Sequence, residues 1–124
     1  MARTNLWNIV IVDWAPLSHA IYTEARIHTG VVGRQLTRFC MFLAKSTGIN
    51  MSSVHMIGHS MGAQIAAFAG HRLQYDMNQT IDRISGLDPA APLYEWPHIE
   101  SLDEILDPGD AAFVDEKPGS GSRD

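Results

Sequence analysis

The sequence predicts an α/β chain with parallel β-α-β-α-β order, on three observations. Short apolar runs near residues 8–13, 53–57 and 81–87 alternate with longer stretches of helical period. Those stretches are long enough for the right-handed crossovers that join parallel strands. Between the second run and its helix stands Gly58-His59-Ser60-Met61-Gly62, a turn with a chemical signature of its own. The 124 residues suit one domain, and a 45% hydrophobic composition favours a packed core over disorder.

Asn8-Ile9-Val10-Ile11-Val12-Asp13 is a continuous β-branched run, as expected of a strand covered on both faces. Pro16 then turns the chain. Residues 18–46 read as helix, in one piece or in two around Gly30 and Gly33. Val32, Leu36, Phe39, Cys40 and Leu43 recur at steps of three and four and form one apolar stripe. Gly48 is a helix stop. A second strand over 53–57 leads into a helix over 61–71, made small-sided by Ala63, Ala66, Ala67 and Ala69. Residues 73–80 are polar and read as a loop. The third strand, 81–87, ends in Asp88-Pro89. Pro97, Pro108 and Gly109 break any long element beyond Pro92. Glu116 to Asp124 is polar, rich in Gly and Ser, and expected to be disordered.

Strand, Gly-x-Ser-x-Gly, helix is the order of the nucleophile elbow in α/β-hydrolases. The turn is tight, so a Cβ at Gly58 or Gly62 is expected to collide with the neighbouring element. It lifts the Ser60 hydroxyl to the N-terminal end of a helix, where free N–H groups and the helix dipole favour an anionic oxygen. Ser60 is the candidate nucleophile. The backbone N–H of Met61, the next residue, is the candidate first oxyanion donor; its side chain has no part in that role.

Asp88 follows the next predicted strand. Chemistry in an open parallel sheet gathers at the carboxyl ends of strands, so Ser60 and Asp88 are expected on one edge. Two readings of Asp88 stand side by side: the acid that orients a catalytic imidazole, or a turn residue before Pro89. Of six histidines only His98 follows Asp88, in a stretch with no strand to place it. It is a weaker candidate for the base than for a surface loop position. Asp107-Pro108-Gly109-Asp110 sets two carboxylates across a turn, a pattern that serves hard cations and ordinary turns alike.

The net charge of −5 argues against nucleic acid or an anionic membrane as partner. Cys40 is the single cysteine, so no internal disulfide forms. It is either a small buried hydrophobe or half of a bond to a segment outside this chain, and its place on the apolar stripe favours burial. The run Ile9 to Val12 is too short for a secretory signal, and no stretch approaches the ~20 apolar residues of a membrane span.

These motifs together resemble the pancreatic-type (neutral) lipase family, its animal and insect branch. The likeness rests on Val12-Asp13-Trp14, Gly58-His59-Ser60-Met61-Gly62-Ala63, Phe68-Ala69-Gly70, Gly86-Leu87-Asp88-Pro89-Ala90, Leu106-Asp107 with Asp110-Ala111, and Phe113-Val114-Asp115. Gly-Leu-Asp-Pro-Ala is much more specific than the elbow alone. The resemblance implies a partial α/β-hydrolase core and hydrolysis of lipid carboxylic esters at a lipid–water interface. It implies Ser60 as nucleophile, Asp88 as acid, and Met61 in the place of the usual Leu. It also implies Asp107 and Asp110 as side-chain ligands of a structural calcium ion, with no cofactor required for the chemistry. An extracellular setting follows by resemblance only.

Where the family places its catalytic His, shortly beyond Phe-Val-Asp, this chain continues Glu116-Lys117-Pro118-Gly119. The His-Gly segment that supplies the second oxyanion N–H is also missing. Residues 1–115 are therefore expected to be the central piece of a lipase catalytic domain and 116–124 a tail, with the chain inactive by itself. The alternatives are a phospholipase cleaving the sn-1 ester, a truncated inactive product, and a lipid-binding or storage relative. Such storage relatives typically lack the serine, so Ser60 counts against the last.

Overall fold

A computed structural model describes residues 7–14, 22–88 and 108–117, with the side chains of 22–27 outside the description. Helix α1, Tyr22–Thr47, comes first, then a 3-10 turn, Met51–Ser53, and strand β1, His55–His59. Helix α2, Met61–Met77, strand β2, Ile81–Leu87, a second 3-10 turn, Pro108–Asp110, and strand β3, Ala111–Lys117, complete the order. The three strands form one sheet in the order β1-β2-β3, parallel throughout. This is the expected partial α/β architecture, with its strands drawn from a different set.

The segment Asn8–Asp13 is not a strand: residues 7–14 take no regular structure. Ile9 and Ile11 are 84% and 85% exposed. A β-branched run favours a pleated, half-buried surface but carries no backbone partner with it. Here Val10, Val12 and Trp14 instead flank a groove against Val32, Leu36 and Phe39 of α1. The added strand is β3, which the sequence reading ended before. It takes in Glu116 and Lys117, placed above in the tail, and its charges hide the β signal.

One layer of helix covers one face of the sheet. β1 alternates exposed and buried, with Met56 and Gly58 turned inward. Ile84 of β2 meets α2 at Gly70, where an added Cβ would come within 2.9 Å of Ile84 Cδ1. Ala63, Ala66, Ala67 and Ala69 are buried in the same core, with Met51, Leu73 and Ile81 as its large members. Small side chains let the helix backbone lie close to the sheet, as the alanine run predicts.

Helix α1 is continuous through Gly30 and Gly33. Gly33 serves a close approach: a Cβ there would lie 2.6 Å from Phe68 Cδ1 of α2. Val32 and Cys40 are buried as expected, together with Thr29 and Thr37, whereas Phe39 is 38% exposed beside the groove. Burial pushes the Cys40 thiol up to about 11, so it packs as an inert hydrophobe. Helix α2 runs to Met77, through residues expected to be loop, and stops at Asn78 in left-handed conformation (φ 54°). Among the described residues, no helix is long and apolar enough to cross a membrane.

Candidate active site

β1 delivers its last residue, His59, in register with Leu87, the last residue of β2. The next residues, Ser60 and Asp88, therefore leave neighbouring parallel strands at the same carboxyl edge. Two backbone bonds hold them there. The Ser60 N–H donates to Leu87 O at 2.9 Å, and the Asp88 N–H donates to Lys117 O at 2.6 Å. Both residues have positive φ, 54° at Ser60 and 48° at Asp88. Non-glycine residues in such conformations cost on the order of 1–3 kcal/mol and persist where the surroundings over-determine them.

Ser60 is held by the turn around it. A Cβ on Gly58 would run into the Gly62 carbonyl and come within 2.6 Å of the Ala63 nitrogen, so the strand can pass the helix only with glycine there. Gly62 differs from expectation: an added Cβ meets nothing within 4 Å among the described residues, because Gly62 already lies in the first turn of α2. The Ala63 N–H is used on Ser60 O at 3.1 Å. The Ser60 side chain makes no capping bond, so its hydroxyl is not spent on the helix. Met61 turns its side chain inward and is buried. At the first helical position its N–H has no intrahelical acceptor.

The remaining candidates lie elsewhere. Asp110 precedes β3, whose Ala111 pairs with Ile81 at the start of β2, so it stands at the amino edge of the sheet, opposite Ser60. It is 3% exposed, with Oδ1 4.0 Å from His71 Nδ1. Asp107 and His98 lie outside the described residues. No group of three His, Cys, Asp or Glu side chains among the described residues could hold a metal. By themselves these residues do not compose the six-to-eight-oxygen shell of a calcium ion.

No histidine among the described residues is hydrogen-bonded to the Ser60 hydroxyl. His59 is exposed at the end of β1, and His55 bonds Ser85 instead. His55, Ser85, Asp115 and Arg83 form a linked polar set on the face of the sheet turned away from α2, and sequence reasoning missed it. Two-residue alternation along β1 and β2 puts His55, Arg83 and Ser85 on one face. The set becomes visible only once β3 brings Asp115 beside Ser85.

The family model described as Lipase matches residues 1–116. The chain belongs to the lipase family. Bovine pancreatic lipase-related protein 2 is 44% identical over 115 residues, 93% of this chain and 23% of that protein. Human pancreatic triacylglycerol lipase is 43% identical over 109 residues, 87% of this chain and 22% of that protein. Mouse hepatic triacylglycerol lipase is 41% identical over 108 residues, 87% of this chain and 20% of that protein. The chain thus spans about a fifth of the length of these lipase relatives. Its serine turn and the strand before Asp88 fall within the matched region, and the α/β arrangement agrees with the fold of the family.

Proposed function

We propose that this chain carries the nucleophile and acid of a serine ester hydrolase acting on lipids, of the triacylglycerol-lipase kind. The observation that carries the reading is the shared edge. Ser60 and Asp88 leave paired strands at adjacent positions, each pinned by a backbone bond. Relatives named as triacylglycerol lipases support the substrate class.

In this reading Ser60 Oγ attacks the ester carbonyl carbon as a histidine base takes its proton. The carbonyl oxygen becomes an oxyanion, held by the Met61 N–H and the positive end of α2. The intermediate collapses with loss of the alcohol, which takes the proton back from the imidazolium. Water then attacks the acyl-Ser60 ester by the same route and releases the fatty acid. Asp88 orients the imidazole and stabilises its charged form. The base is a histidine outside the described residues, and without an imidazole in that place Ser60 is expected to turn over esters little or not at all. Family membership also supports an extracellular protein working at a lipid–water interface.

The test is covalent labelling with a fluorophosphonate, in the longest natural polypeptide that contains this chain. Wild type should label at Ser60 and hydrolyse triacylglycerol emulsions. Ser60→Ala should abolish both, and Asp88→Asn should slow turnover on the order of 10³- to 10⁴-fold. Labelling that survives Ser60→Ala would overturn the assignment.

A further inference from the structure

The face of the sheet turned away from α2 carries a continuous chain of hydrogen bonds across all three strands. Arg83 Nε and Nη2 donate to the two oxygens of Asp115 at 3.0 and 3.1 Å. Ser85 Oγ donates to Asp115 Oδ1 at 2.7 Å, and His55 Nε2 stands 2.9 Å from Ser85 Oγ. A hydroxyl has one proton to give. Ser85 gives its proton to Asp115, so its oxygen can only accept from His55. That puts the His55 proton on Nε2. The chain therefore has one direction: His55 donates to Ser85, and Ser85 and Arg83 both donate to Asp115.

Its place in the register links it to the candidate active site. Ser85 lies two residues before Leu87, and its partner in register, Asp115, lies two before Lys117. The Leu87 and Lys117 carbonyls are the acceptors that hold the Ser60 and Asp88 amides. The chain of bonds thus crosses the sheet one pleat below those two anchors. A row of apolar side chains there would tolerate small lateral shifts between strands. Directional bonds with a charged end do not.

We propose that His55, Ser85, Asp115 and Arg83 are positioning residues, a strap that fixes the spacing of the three strands and thereby the separation of Ser60 from Asp88. The link to catalysis rests on the nucleophile–acid reading above; the strap itself does not. Ser85 is the link that joins His55 of β1 to Asp115 of β3, since it bonds both. A threonine there keeps the hydroxyl, and an alanine removes it.

The experiment compares wild type, Ser85→Ala and Ser85→Thr, in the longest natural polypeptide that contains this chain, by three readouts. The first is the His55 ring tautomer from nitrogen chemical shifts. The second is hydrogen exchange at the Ser60 and Asp88 amides against exchange within α2. The third is the rate of fluorophosphonate labelling of Ser60, separated from probe affinity. Wild type should show the Nε2–H tautomer. Ser85→Ala should lose that preference and exchange the Ser60 and Asp88 amides about tenfold faster while α2 is unchanged. It should also slow labelling ~10- to 100-fold at unaltered probe affinity, the scale of a misplacement remote from the chemistry. Ser85→Thr should restore all three.

A wild-type ring protonated on Nδ1 and bare at Nε2 overturns the strap. So does a Ser85→Ala variant whose Ser60 and Asp88 amides exchange no faster relative to α2. If wild type fails to label while the tautomer and exchange results hold, the nucleophile reading fails and the strap stands. Should Ser85→Ala not fold, His55→Phe removes the outermost link, and the exchange comparison decides in the same way.

Discussion

Two glycines of one turn separate at the scale of single residues. Gly58 sits where β1 passes under the start of α2, and the space a Cβ needs is filled by the Gly62 carbonyl and the Ala63 nitrogen. Backbone on both sides leaves nothing flexible to move. Gly58→Ala should therefore destabilise the fold by about 1–3 kcal/mol, the range for overpacking, and displace Ser60 with it. Gly62 meets open space among the described residues and lies in a helix. Gly62→Ala should be tolerated and stabilise by about 0.5 kcal/mol through the unfolded state. Urea denaturation of the two variants reads both; an equal loss from each would contradict the assignment of the clash to Gly58 alone. The need for glycine at position 58 was legible in the motif, since it follows from how a strand–turn–helix must close. That Gly62 has room was not legible, because the angle at which α2 leaves the turn is set by its packing on the sheet.

Helix α2 shows what a polar stretch conceals at the scale of an element. Residues 73–80 read as loop because the stretch is polar, with Gln74 and Asp76 in it, yet the helix continues to Met77. Three local features carry it. Arg72 pairs with Asp76 at 3.3 Å one turn on, Leu73 is fully buried, and Asn78 ends the helix by donating its N–H to Gln74 O and Leu73 O. The extra turns also reach β3, since Gln74 Nε2 donates to the Gly109 carbonyl just before that strand. Leu73→Ala should cost about 2–5 kcal/mol, the range for emptying a buried leucine site. A loop leucine would cost a small fraction of that, so the denaturation midpoint of this variant discriminates between the two. The third strand was illegible for a related reason. Asp115, Glu116 and Lys117 lower its β propensity, and the Asp115 partners that compensate are distant in sequence.

At the scale of the whole molecule, parallel order alone made one edge of the sheet the candidate site, and that part was legible from strand runs and crossover lengths. What joins β3 to that edge was not legible, because it depends on side chains that meet only after folding. Asp115 is the main joint, and its titration is measurable. Its carboxyl is held down to about 2 from an ordinary 3.8, first by the Arg83 hydrogen bond, then by that of Ser85, with smaller contributions from the Arg83 and His55 charges. Native Asp115 binds its proton less readily than the unfolded chain does, so the unfolded state takes up protons first as pH falls. The stabilisation is present in full above about pH 4 and disappears as pH drops toward 2. Arg83 is raised by the same contact and stays charged throughout this window. Asp115→Asn should therefore be less stable than wild type at pH 5 to 7, with the gap closing between pH 4 and 2. Urea midpoints for both proteins across that range test it. The exposed position of the pair makes the expected gap modest and sensitive to salt. A gap that stays constant down to pH 2 would mean that Asp115 supports β3 by shape and neutral hydrogen bonding rather than by its charge.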